Sequence, residues 1–195
     1  MDNFEYIFYI DLDAIIMNMD MKLQDFIEHA PGGEIILTED AHGINTGLMF
    51  MHKSEWTKSF LNLAFSQKHL ALNEETEDGI PYPFEYEQRA FHYLYGTSFW
   101  LDRGLPKYRE SPDVQSHIAV MPQCAFNSYS LHPISLRSSE DWTSAAYANG
   151  DFAVHFAGVK GYKKLALMEA YLESSEEINQ KTMDKYNNFI SEEKL

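Results

Sequence analysis

The sequence predicts an α/β domain with a mixed sheet and flanking helices, on three observations. Tyr6-Ile-Phe-Tyr-Ile10 is a short run of β-branched and aromatic residues, too short to cross a membrane and suited to a buried strand. Beyond it, stretches with apolar residues at helical spacing alternate with short strand-like runs. Finally, 195 residues with 45% hydrophobic and 14% aromatic content can bury one sizeable core, so one domain is the default.

The elements follow in order. Only Met1 to Glu5 precede the first strand, which needs neighbours on both sides. Either later strands complete the sheet, or this is the later part of a longer domain. Met21 to Ala30 carries Leu23, Phe26 and Ile27 at helical spacing, and Pro31-Gly32-Gly33 stops it. Glu34 to Leu37 reads as a strand, Asp40 to Gly47 as a loop, and Leu48 to His52 as a second strand. Ser54 is placed to cap an amphipathic helix running to about Leu72. Asn73 to Pro83 is an acidic, proline-containing loop, and a helix over Glu85 to Tyr95 ends at Gly96. Thr97 to Ser116 reads as a strand and a proline-containing loop, and Val114 to Met121 and Phe152 to Phe156 as further strands. Leu165, Leu167, Met168, Tyr171 and Leu172 share helical spacing. The core domain is expected over residues 1–172, with a charged helix or tail over 173–195.

Charge narrows the partners. Lys and Arg number 15 against 30 Asp and Glu, a formal charge of −15, which repels nucleic acid and anionic membrane. Cys124 is the only cysteine, so no intrachain disulfide and no multi-thiolate zinc site can form. No signal peptide or membrane span is legible in these residues. An acidic chain that holds a phosphorylated ligand needs a local cation or a placed Lys or Arg.

The first strand ends in Asp11-Leu12-Asp13. In an extended chain residues i and i+2 point to one side, so the two carboxylates can converge. Hard oxygen ligands paired in this way suit Mn²⁺ or Mg²⁺, at the strand end where open α/β sheets bind ligands. A lone Asp-x-Asp more often caps a turn. His155 alone reads as a core histidine, Lys160 as a solvated helix start, Glu87 and Gln88 as exposed helix positions, and Asn45-Thr46-Gly47 as an ordinary turn. Asp151 is placed to cap a turn or to orient His155.

Taken together, these stretches point further. Asp11-Leu-Asp13, Ile44-Asn-Thr-Gly-Leu-Met-Phe-Met-His-Lys-Ser-Glu-Trp56, Glu87-Gln-Arg-Ala90 and Gly150-Asp-Phe-Ala-Val-His-Phe-Ala-Gly158 with Lys160 resemble, in order and spacing, glycosyltransferase family 34. That family contains fungal α-1,2-galactosyltransferases, α-1,6-mannosyltransferases and plant xyloglucan xylosyltransferases, and the resemblance covers roughly Tyr6 to Lys160. It implies a GT-A fold, of Rossmann-like nucleotide-diphospho-sugar transferase type, lacking here the N-terminal part that carries the first strands. It further implies a Golgi membrane enzyme that uses Mn²⁺ and a nucleotide sugar to form α-linkages with retention, although no anchor is present in this sequence.

The resemblance assigns roles by position. Asp11, Asp13 and His155 correspond to metal ligands, and Lys160 to the lysine that meets the donor diphosphate. Asp11, Leu12, Gly158 and Asn45 to Gly47 line the donor. Gln88 corresponds to the amide beside the reacting sugar, where its carbonyl oxygen could steady positive charge, and Glu87 to the acid before it. Arg89 and Val159 depart from the family pattern. The fungal-like Glu87-Gln88 and His-Phe-Ala-Gly favour mannose or galactose over xylose, and the resemblance implies GDP-mannose or UDP-galactose as donor, a glycan acceptor, and other glycosyltransferase subunits as companions. Two alternatives remain: a non-catalytic subunit or fragment that binds a sugar or partner enzyme, and a haloacid-dehalogenase-like phosphatase, which shares the opening Asp-x-Asp but expects later motifs not found here.

Overall fold

The computed structural model describes residues 4–40, 43–68, 87–96, 112–130 and 146–173. They form a mixed α/β structure in which the chain divides into two compact units: Met1–Tyr9 with Leu23–Met121, and Ile10–Lys22 with Pro122–Leu195.

The first unit is built on a four-stranded sheet in the order β1-β4-β3-β5, with β1 at Tyr6–Ile10, β3 at Ile35–Asp40, β4 at Gly43–His52 and β5 at Ile118–Met121. β3 pairs antiparallel with β4 and parallel with β5, so the sheet is mixed. β3 and β4 are central and apolar, and successive side chains go to opposite faces. Ile35, Leu37, Ile44 and Met49 pack with Phe60 and Ala64 of α2 (Glu55–Ser66), Ala90, Phe91 and Leu94 of α3 (Gln88–Tyr95) and Val114 of α4 (Pro112–His117). On the other face Phe50 meets Phe8 and Phe26, the latter from α1 (Leu23–Glu28). Burying each such ring stabilises the unit by about 1.5–3 kcal/mol.

The caps follow the local chemistry. Ser54 Oγ accepts from the Thr57 backbone N–H at 3.0 Å and starts α2. Gly96, at φ 85, ends α3 in the left-handed conformation that glycine adopts without a Cβ clash. Gly33 has a different reason: a Cβ there would lie 2.8 Å from Ala119 Cβ on β5.

Three expectations need correction. β1 is an edge strand among the described residues, with Ile7 57% exposed and Tyr9 38% exposed, because a terminal strand has a neighbour on one side only. Gly43 to Gly47 belong to strand β4, not to a loop. Pro112 to His117 form helix α4, where a strand was expected from Val114; proline suits a first helical position and Asp113 the first turn. The loop expected over Asn73 to Pro83, the strand after Thr97 and the tail beyond Glu173 lie outside the described residues.

The second unit holds a three-stranded sheet in the order β2-β7-β6, with β2 at Ala14–Ile16, β6 at Ser128–Tyr129 and β7 at Ala153–His155. β7 is central and fully buried, pairing antiparallel with β2 and parallel with β6. Val154, Phe156 and Val159 pack against Leu167 and Tyr171 of α5 (Tyr162–Glu173). Among the described residues no helix is long and apolar enough to cross a membrane.

Candidate functional site

The second unit gathers its polar side chains at the β2-β7-β6 sheet. Asp11 to Asp13 form a tight turn, not an extended segment, with the Ala14 N–H donating to Asp11 O at 3.1 Å. Aspartate is favoured at the head of such turns. The expected i, i+2 geometry therefore does not apply, yet both carboxylates converge. Ala14 is the register partner of His155, and the Phe156 N–H donates to Asp13 O at 2.9 Å, which sets the turn beside the imidazole.

His155 Nε2 lies 3.4 Å from Asp13 Oδ1 and 3.9 Å from Asp11 Oδ2. One ligand atom from each of the three residues lies within 4.8 Å of the others. His155 is 4% exposed, and its Nδ1 is 2.9 Å from Asn127 Oδ1, a carbonyl oxygen that can only accept. The Nδ1–H therefore donates, and Nε2 faces the two carboxylates, where it either donates an N–H to Asp13 or, in the neutral imidazole with its proton on Nδ1, presents a lone pair. Lone pairs that converge in this way need positive charge between them, and a divalent cation with mixed nitrogen and oxygen ligands fits the donor set.

Asp13 also pairs with Lys164 of α5 through its other oxygen, Oδ2. Its carboxyl is held far below the ordinary aspartate range, first by hydrogen bonding with His155, then by Lys164, against the opposing effect of burial. Asp151 does not orient His155. Its Oδ2 accepts from Ser128 Oγ at 2.6 Å and from the Ala148 N–H at 3.0 Å, capping the turn before β7.

Leu12 is fully exposed at the tip of the turn. Gly158, at φ 77, turns the chain after β7, and Lys160 is exposed. Asn127 and Lys164 escaped the sequence reading. Asn127 reaches His155 through the parallel β6–β7 pairing, which leaves no spacing signal. Lys164 looks in sequence like a solvated helix start. The only hint was the scarcity of lysines available to an acidic chain.

The first unit holds a separate cluster. The Thr46 N–H donates to Gln88 Oε1 at 3.1 Å, and Thr46 Oγ1 lies 3.0 Å from Glu87 Oε1 and 3.3 Å from Gln88 Oε1. A backbone N–H can only donate, so the Gln88 carbonyl oxygen is committed to Thr46 and its amide nitrogen is left as a donor. Asn45 is buried, donating to Asp40 Oδ2 at 2.9 Å and accepting from the Gly47 N–H at 2.8 Å. The β3–β4 register shifts between Ile36 and Thr38, opposite Thr46 to Met49. Such bulges re-aim side chains next to functional sites.

In this mixed α/β protein, two carboxylates and an oriented imidazole converging on one point define a candidate cation site. More particularly, the chain belongs to the galactosyl transferase GMA12/MNN10 family, whose model matches residues 26–166. That span takes in Asn45 to Gly47, Glu87, Gln88, Asn127, His155, Gly158, Lys160 and Lys164, and begins after Asp11 and Asp13. The chain is 25% identical over 191 residues to an alpha-1,2-galactosyltransferase of Schizosaccharomyces pombe, covering 82% of this chain and 43% of the relative. It is 21% identical over 217 residues to a probable alpha-1,6-mannosyltransferase, MNN10, of Saccharomyces cerevisiae, covering 94% of this chain and 49% of the relative. The chain thus spans less than half the length of these relatives. No solved structure matches it.

Proposed function

We propose that this chain carries the cation- and donor-binding part of a metal-dependent, retaining glycosyltransferase of GT-A type. It moves mannose or galactose from GDP-mannose or UDP-galactose to a glycan acceptor in an α-linkage, and works in the Golgi lumen. The observation that supports the reading is the convergence of Asp11, Asp13 and His155 in a chain of this family. The printed names of its relatives favour the two hexoses.

Asp11, Asp13 and His155 would hold the cation, and the imidazole nitrogen favours Mn²⁺ over Mg²⁺. When bound, the ion would supply electrostatic stabilisation of the departing diphosphate. Asn127 fixes the His155 ring so that Nε2 faces the acids. Lys164, paired with Asp13, and Lys160, at the position of the donor lysine, would supply positive charge in an acidic chain. Gln88 is held by Thr46 with its amide nitrogen free to donate, which suits a hydroxyl or ring oxygen of the sugar. A carboxylate at Glu87 lies beside it.

Mn²⁺-dependent transfer or hydrolysis of GDP-mannose and UDP-galactose tests the reading. Turnover that a chelator abolishes is expected. Folded protein that neither binds Mn²⁺ nor turns over either donor would overturn it.

A further inference from the structure

Lys164 and Asp13 stand 151 residues apart in sequence and form an ion pair through Asp13 Oδ2, while Asp13 Oδ1 faces His155. Both side chains are partly buried, 27% and 23% exposed, so water screens this pair less than it screens a fully exposed pair. Lys160, four residues earlier and the position matched to the donor lysine, is exposed. Among the described residues, the lysine paired with Asp13 is Lys164.

We propose that Lys164 is the resident counter-charge of the cation site. It competes with a divalent cation for Asp13, and it is the ammonium presented to a diphosphate once Asp13 is shared. The inference rests on the cation reading above. Asp13 has two oxygens and one negative charge, and Lys164 already draws on both the charge and Oδ2. A dication at Oδ1 meets that ammonium as a like charge, which lowers its affinity. The same ammonium is then less fully neutralised by Asp13, and an anion that approaches the ion also gains from it. Lysine suits such an exchange because its charge is compact and sits on a flexible four-carbon stem. The cation and the diphosphate thus feel Lys164 with opposite sign. A merely structural ion pair would instead weaken both on removal, through loss of Asp13 orientation.

Calorimetric titration of the full chain separates these cases, first with Mn²⁺ alone and then with GDP or UDP at saturating Mn²⁺. Lys164→Met is expected to bind Mn²⁺ about tenfold tighter, and GDP or UDP about tenfold weaker. Lys164→Gln should behave alike, and provides a second test should the methionine variant fail to fold by circular dichroism. Lys164→Arg keeps the charge and should stay near the parent on both axes. Lys58→Met removes an exposed charge paired with Glu55 and controls for net charge. Weaker or unchanged Mn²⁺ binding in Lys164→Met and Lys164→Gln overturns the counter-charge role, and unchanged nucleotide binding overturns the diphosphate role. If neither GDP nor UDP binds the Mn²⁺-loaded parent, the donor reading itself fails, while the Mn²⁺ shift still decides whether Lys164 competes.

Discussion

His155 has two unlike nitrogens, one donating to Asn127 and one facing Asp11 and Asp13, and that asymmetry makes it a directed ligand. Asn127→Ala leaves the ring in place without its orienting acceptor, and Mn²⁺ affinity is expected to fall by about 10–100-fold. His155→Ala should abolish measurable binding, both read by calorimetry. In the other unit the Thr46 hydroxyl lies within hydrogen-bond reach of Glu87 and Gln88. Thr46→Val keeps the shape, loses the hydroxyl, and should cost about 1–2 kcal/mol in denaturant unfolding. The acids and the imidazole were legible as residue types at particular places. Asn127 and Lys164 were not, because their roles come from strand pairing and from the first turn of a helix, which sequence distance does not encode.

Elements succeed or fail on local chemistry. The Ser54 cap and the Gly96 stop were readable because each satisfies a helix end by itself. Helix α4 looks in sequence like the start of a strand, since Val114 near Ile118-Ala-Val-Met121 is β-like, whereas Pro112 and Asp113 suit a helix start. Gly33 matters through space: its absent Cβ would sit 2.8 Å from Ala119 Cβ and 3.1 Å from Ile36 Cγ1. Gly33→Ala should therefore destabilise the first unit by about 1–3 kcal/mol, visible as a lower denaturation midpoint. Glu34 and His52 join β4 to the start of β3 at 2.8 Å. The Glu34 carboxyl is held below its ordinary value, first by the Ser54 hydroxyl and then by His52. Its contribution is thus present above the unfolded glutamate value and fades as pH falls through the lowered folded one. Glu34→Gln should cost up to about 1 kcal/mol near neutral pH, and the difference should vanish in acid unfolding series.

At the scale of the molecule, each of the two units owns a core and a polar cluster. A divalent cation bound only by the folded second unit would stabilise it by mass action, about 2.7 kcal/mol at about a hundred times its dissociation constant. Thermal unfolding with Mn²⁺ should show that rise, and the double variant Asp11→Asn with Asp13→Asn should lack it. The formal charge of −15 adds self-repulsion, so added monovalent salt should also raise the midpoint, by a smaller amount and in both proteins. Composition, periodicity and the motif series by themselves determined an α/β class, an acidic surface, most element positions and a family, because these depend on residue type and near-neighbour spacing. Only the tertiary structure decided that Asp11 and Asp13 meet through a turn, that β1 is an edge among the described residues, that Asn127 aims the imidazole and that Lys164 holds Asp13. Those are outcomes of strand register and helix placement, where residues far apart in the chain become neighbours for reasons no local pattern records.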